Sequence, residues 1–107
     1  MIVKNTSVEF ETMSKGIKRK ILARGGKIMS VEVHFEKGAI AKVHTHPHEQ
    51  IGYIIKGSLE LEIEGMKKII NSGDSFYVKS HIPHGVTALE ETTVLDVFTP
   101  QREDFLR

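Results

Sequence analysis

Cysteine is absent from this chain of 107 residues, and so is tryptophan. Without cysteine there can be no disulfide framework and no thiolate metal site. Any metal here must be held by imidazole and oxygen donors. An excess of charge is also missing. Fifteen Lys and Arg stand against fourteen Asp and Glu, for a net charge of +1. That balance argues against nucleic acid or a membrane surface as the main partner. No apolar run approaches the length of a membrane span, and Met1-Ile2-Val3-Lys4 does not open a signal peptide. The expectation is a soluble, cytoplasmic protein. Linkers, internal repeats and low-complexity segments are absent, and the length fits one domain over residues 1–107.

Long helical periodicity is lacking too, and short alternating stretches take its place. Met29, Val31, Val33 and Phe35 alternate with polar residues, as do Leu59, Leu61 and Ile63 with Glu60, Glu62 and Glu64. Val94, Asp96 and Phe98 share one parity against Leu95 and Val97. Residues 17–22, 51–56, 66–70, 75–78 and 85–89 read as further strands, the first of them ending before an Arg24-Gly25-Gly26 turn. Gly38, Gly57, Gly65 and Gly73 fall where turns are needed. Evenly spaced short strands with turn signals predict an all-β sandwich or barrel. The glutamate stripe is a solvated face. The tail from Pro100 to Arg107 is expected to end in a short helical turn, with Phe105 and Leu106 packing back. An exposed apolar side on Leu95 or Val97 would be covered by a second sheet or a second subunit.

Six histidines are present, and three of them fall between positions 44 and 48. On an extended segment His44 and His46 leave the same face, and Gln50 shares their parity although Pro47 bends the path. His84, on a distant strand, would close the set across a barrel. Three imidazoles and an amide oxygen make a metal site for nickel, manganese, zinc, iron or copper, with open positions for a ligand. A lone H-x-H also occurs on exposed edge strands without function. His34 and His81 read as surface or turn residues, and Glu49 as a rim carboxylate. His48 is either a neighbour of the site or exposed.

These residues fit a family pattern. The chain resembles the cupins, double-stranded β-helix barrels of the jelly-roll, RmlC-like type. Their first motif is matched by Gly38, His44, His46, Gln50 and Gly57, with Gln50 in place of the usual Glu. Their second, within about residues 73–88, is matched by Gly73 and His84. Lys79, His81 and Ala88 replace its Pro, Gly and Asn, so His81 would need a left-handed backbone. An amide ligand leaves the metal its full positive charge, which favours an acidic small molecule over a neutral one.

The segments His46-Pro47-His48-Glu49-Gln50-Ile51, Gly73-Asp74-Ser75-Phe76-Tyr77, Val31 to Ala39 and Leu95 to Phe105 are similar to those of KdgF-type cupins. That resemblance implies one divalent transition metal (nickel, manganese, zinc or iron) on His44, His46, Gln50 and His84. It implies a site completed by Asp96, Phe98 and Arg102. The activity implied is conversion of 4,5-unsaturated monouronates from pectin or alginate breakdown into linear keto forms. The expected partners are a small acidic sugar-like substrate and a second copy of the chain, in a homodimer. Asp96 would move the proton, Phe98 pack on the sugar ring and Arg102 fork onto the carboxylate. Burial would raise the Asp96 pKa, and a nearby metal would oppose that. Other readings of the same residues are a different small-acid isomerase or dioxygenase, a non-catalytic sugar- or metabolite-binding module, and a metal-stabilised structural barrel. A structural barrel would not need Asp96 and Arg102. Taken without the resemblance, Asp96 reads as a salt-bridged carboxylate, Arg102 as a surface or interface residue and Phe98 as plain core.

Overall fold

Ten strands make up more than half of the chain in the computed structural model, which describes residues 1–107. They are β1 (Glu11–Ser14), β2 (Ile17–Gly25), β3 (Ile28–Phe35), β4 (Ile40–His44), β5 (Glu49–Lys56), β6 (Ser58–Ile63), β7 (Met66–Asn71), β8 (Ser75–Val78), β9 (His84–Ala88) and β10 (Thr92–Thr99). Two 3-10 turns, Asn5–Ser7 and Glu103–Leu106, are the only helical segments, and neither is long and apolar enough to cross a membrane. The strands form two antiparallel sheets. One has the order β1-β2-β3-β10-β5-β8, the other β4-β9-β6-β7. This is the expected all-β jelly-roll architecture.

Alternation in the sequence becomes burial in the sheets. On β3, Met29, Val31, Val33 and Phe35 are buried, and on β10 Thr92, Val94, Asp96 and Phe98 are buried. These faces meet Leu59 and Ala88 of the other sheet in one apolar core. Burying side chains of this size at about 25 cal/mol per Å² supplies the main driving force for folding. All four glycines expected at turns have positive φ, and His81 takes the left-handed conformation at φ 64°. The tail forms its turn, but only Phe105 packs inward; Leu106 stays exposed.

Several boundaries differ from the sequence reading. β2 runs through Gly25, so the turn begins at Gly26. β1 and β4 lack clear alternation and are revealed only by their pairing with β2 and β9. The important correction concerns the histidines. β4 ends at His44, and His46 lies in the irregular connection to β5, so the two do not share a strand face. His44 turns inward for another reason. The β4–β9 register runs Ile40↔Thr87, Ala41↔Val86 and then His44↔His84, a bulge of one extra residue. A bulge re-aims the side chains that follow it. Ala41 and His44 therefore both face the barrel cavity, while Val43 between them is exposed.

Gly85 makes this bulge sterically feasible. A Cβ there would stand 2.9 Å from the Ala41 carbonyl oxygen and 3.0 Å from the Val43 amide nitrogen. Backbone cannot yield as a flexible side chain can.

The outer face of the larger sheet is covered unevenly. Near β2 and β3 the N-terminal segment lies over it, with the Asn5 amide donating to Glu32 and the Phe10 ring 4.7 Å from His34. Across β10, β5 and β8, half-buried Leu95 and Val97 adjoin exposed Tyr53, Ile51 and Tyr77 in register. Tyr77 donates its hydroxyl to Glu49 at 2.6 Å, which places Glu49 on the rim.

Gly85→Ala is expected to destabilise the protein by about 1–3 kcal/mol, because it presses on the bulge. It should also weaken metal binding by displacing His44. Thermal melting and a metal titration read the two effects separately.

Candidate metal centre and its cavity

Four elements deliver the donor groups. His44 closes β4, His46 follows in the β4–β5 connection, Gln50 lies on β5 and His84 opens β9. The imidazole nitrogens that could act as ligands lie within 4.8 Å of one another. Ring centres of His44 and His84 are 4.4 Å apart, and those of His46 and His84 are 4.7 Å apart. His46, Gln50 and His84 are buried; His44 remains exposed at the mouth.

Each ring is oriented by the backbone. His44 Nδ1 donates to the Lys42 carbonyl at 2.7 Å, His46 Nδ1 to the His48 carbonyl at 3.0 Å and His84 Nδ1 to the Ile82 carbonyl at 2.8 Å. A carbonyl can only accept, so each neutral ring carries its proton on Nδ1 and presents Nε2 as a bare lone pair. The His81 amide donates to the His46 carbonyl at 2.8 Å, which ties the left-handed turn to the ligand-bearing connection.

Burial, then the charges of Arg102 and His84, bring the His46 pKa down to about 4 despite its hydrogen bonds. Burial also lowers that of His84. Both rings are thus neutral at physiological pH, the state that ligates metal. His84 Nε2 is buried with no hydrogen-bond partner. An orphaned buried acceptor costs about 1–3 kcal/mol in a protein interior. His46 Nε2 lies 3.1 Å from Gln50 Oε1, two acceptors face to face. A divalent cation satisfies all of these atoms at once, so the donor set fits a metal.

A cavity of about 200 Å³ adjoins this centre, and its walls include His44, Gln50, His84, Asp96, Phe98, Arg102 and Phe105. Most of the lining is apolar, so the few polar groups dominate its chemistry. Asp96 is buried on the same face of β10 as Val94 and Phe98. It accepts the Gln50 Nε2 amide at 2.9 Å. Burial pushes its pKa up to about 7, against the Gln50 hydrogen bond and the positive charge of Arg102. Phe98 packs edge-on to His46 at 5.8 Å and to Phe105 at 5.9 Å.

Arg102 is brought to the cavity by the C-terminal turn, but not as a free fork. Its Nε and Nη2 donate to Asp104 at 3.1 and 2.9 Å. Its guanidinium lies 4.9 Å from the Phe98 ring centre and 4.1 Å from that of Phe105. Such cation–π contacts contribute about 0.5–2 kcal/mol. Arg19 lies 3.9 Å from the same Phe105 ring, on the core-facing side of β2 opposite Val33. Asp104 and Arg19 are absent from the sequence reading. The signals were an opposite charge two residues from Arg102 and an arginine at an apolar parity position between Ile17 and Ile21. His48 is half-buried, with its ring 5.5 Å from His46 and 6.4 Å from Phe98, beside the centre and outside the donor cluster.

Jelly-roll barrel and histidine cluster together define a class, and a family model described as "Cupin domain" matches residues 31–98. The chain belongs to the cupin family. It is 48% identical over 99 residues to the pectin degradation protein KdgF of Dickeya dadantii (strain 3937), covering 91% of this chain and 90% of that protein. The solved structure of KdgF from a Halomonas species superposes with a TM-score of 0.94 at 38% identity, covering 98% of this chain and 97% of the other. An RmlC-like cupin from Shewanella frigidimarina NCIMB 400 gives a TM-score of 0.93 at 35% identity, over 97% and 94% of the two chains.

The raised Asp96 pKa has a stability consequence. The carboxyl is protonated more readily in the folded protein than in the unfolded chain, so this group favours folding most in acid. Its contribution is lost as pH rises from about 4 to about 7, while that of His46, whose pKa is lowered, is lost as pH falls from 6.5 to about 4. Asp96→Asn should stabilise the metal-free protein by about 2–4 kcal/mol near pH 8 and by much less near pH 4. Denaturant melts at the two pH values check it.

Proposed function

We propose that the protein is a metal-dependent enzyme that converts 4,5-unsaturated monouronates to linear keto acids. The single observation behind this reading is the placement of Asp96. A buried carboxyl with a pKa near 7 shares one cavity with a metal-ready histidine cluster and an arginine. The likeness to KdgF, a pectin degradation protein, supports a substrate that arises in pectin breakdown.

In this reading His44, His46, His84 and the Gln50 oxygen hold one divalent transition metal. When bound, it supplies a positive charge that favours oxyanions in the cavity. Asp96 takes the proton from the hemiacetal hydroxyl. The C1–oxygen double bond forms as the bond from C1 to the ring oxygen breaks. The electron pair remains on that oxygen, now an enolate conjugated with the former ring double bond. Asp96 returns the proton to C4, and C5 becomes a ketone. Atoms balance without an oxidant or a second substrate. A pKa near the working pH suits a group that must both accept and donate.

Arg102 answers the uronate carboxylate. Asp104 occupies two of its five N–H donors, so the substrate meets the remaining three rather than the Nε–Nη2 fork. Phe98 forms a flat wall against which the sugar packs. The reading includes a homodimer, supported by the open apolar face of Ile51, Tyr53, Tyr77, Leu95 and Val97. An uncovered patch of this kind on a soluble barrel is suited to a second copy.

The test follows loss of the conjugated double-bond absorbance of an unsaturated galacturonate or mannuronate with metal-loaded protein. A rate no faster than the spontaneous reaction overturns the proposal. Asp96→Asn should lose at least about a hundredfold in kcat while the metal stays bound. Arg102→Met should raise KM about tenfold or more, since a charged hydrogen bond is lost. It should also move the acid limb of the pH profile upward, because removing a positive charge raises the Asp96 pKa.

A further inference from the structure

The cupin pattern places a carboxylate where this chain has Gln50. The structure gives a local reason. Gln50 and Asp96 sit on neighbouring strands at the inner face of the larger sheet, and both are buried. Gln50 Nε2 donates to Asp96 Oδ1 at 2.9 Å, while Gln50 Oε1 points the other way and lies 3.1 Å from His46 Nε2. An ionised carboxylate only accepts hydrogen bonds. It therefore draws the amide NH2 to itself and turns the oxygen toward the imidazoles. The opposite orientation would set an amide oxygen against a carboxylate and aim two N–H donors at the place where a cation would sit.

We propose that Asp96 is a positioning residue for the metal centre, fixing the Gln50 amide with its oxygen toward the three histidines, and that Asp96 is the reason position 50 holds an amide. This rests on the metal-centre reading above and adds to it a coupling between residues 50 and 96. A glutamate at 50 would bring a second carboxylate to hydrogen-bond distance of the first, away from water. Two such charges repel unless they share a proton. The residue that makes the proposed proton carrier available thus excludes the family's usual ligand.

Two measurements test this without turnover. The first is affinity for zinc or nickel by calorimetric titration. Asp96→Asn keeps an acceptor for the Gln50 N–H and should bind within about threefold of wild type. Asp96→Leu removes the acceptor and should bind about tenfold or more weakly, the usual range for losing a group that orients a ligand. Asp96→Leu binding as tightly as wild type overturns the proposal. The second is thermal melting without metal near pH 8. Gln50→Glu should lower the melting temperature when Asp96 is present and cause little or no loss in an Asp96→Asn background. Equal effects in both backgrounds overturn the proposal, and this arm decides should Asp96→Leu not fold. Wild-type protein that binds metal and turns over no uronate would defeat the proposed function and leave this coupling standing.

Discussion

Three backbone carbonyls govern the chemistry of this barrel. By accepting the Nδ1 protons of His44, His46 and His84, the carbonyls of Lys42, His48 and Ile82 decide that Nε2 is the free atom on every ring. No side chain has to be recruited for this, and no rotation of the imidazole can undo it without breaking a hydrogen bond. Each carbonyl sits two residues from the ring it holds. The local backbone path, set by the β4 bulge, the Pro47 connection and the left-handed His81 turn, is therefore what builds the donor set. A cluster oriented in this way loses little conformational freedom when a cation arrives.

Around that centre the charges are arranged in opposition. Burial works to neutralise Asp96, while Arg102 and the Gln50 amide work to ionise it, and burial prevails. The same guanidinium lowers the pKa of His46. Arg102 is kept in place by Asp104 and by two aromatic rings, so its influence is fixed rather than fluctuating. Phe105 receives both Arg102 and Arg19, which fastens the C-terminal turn to the barrel. A segment with little secondary structure of its own thereby becomes part of the cavity wall.

Much of this was legible in the residues. The alternation of β3, β6 and β10, the turn glycines and the parity of Asp96 with Val94 and Phe98 all follow from the two-residue period of a strand. The convergence of His44, His46, Gln50 and His84 was also readable, although for a partly wrong reason. His44 and His46 do not share a face of one strand; an extra residue turns the first inward, and a loop carries the second. A bulge leaves no mark in composition, and the alternating period on which the reading relied is what it interrupts. Asp104 was missed because a salt bridge two residues along an irregular tail has no period to reveal it. Arg19 was missed because the groups that accommodate it on the inner sheet face, the Phe105 ring and the Glu11 carboxylate, come from other parts of the chain.

The bulge in β4 makes the position of His44 a matter of counting. Between Ala41 and His44 the identities of the intervening residues contribute little, since Val43 points to solvent and Lys42 supplies only its carbonyl. What matters is how their number matches the pairing. A regular strand sends residues two apart to one face and residues three apart to opposite faces, so with two residues intervening the imidazole turns inward only because the β9 pairing takes up one extra residue. A regular ladder at this length would turn His44 outward, whereas with one residue fewer the imidazole would face inward without any bulge. Within this segment, then, the site depends on length and pairing being matched to each other rather than on spelling.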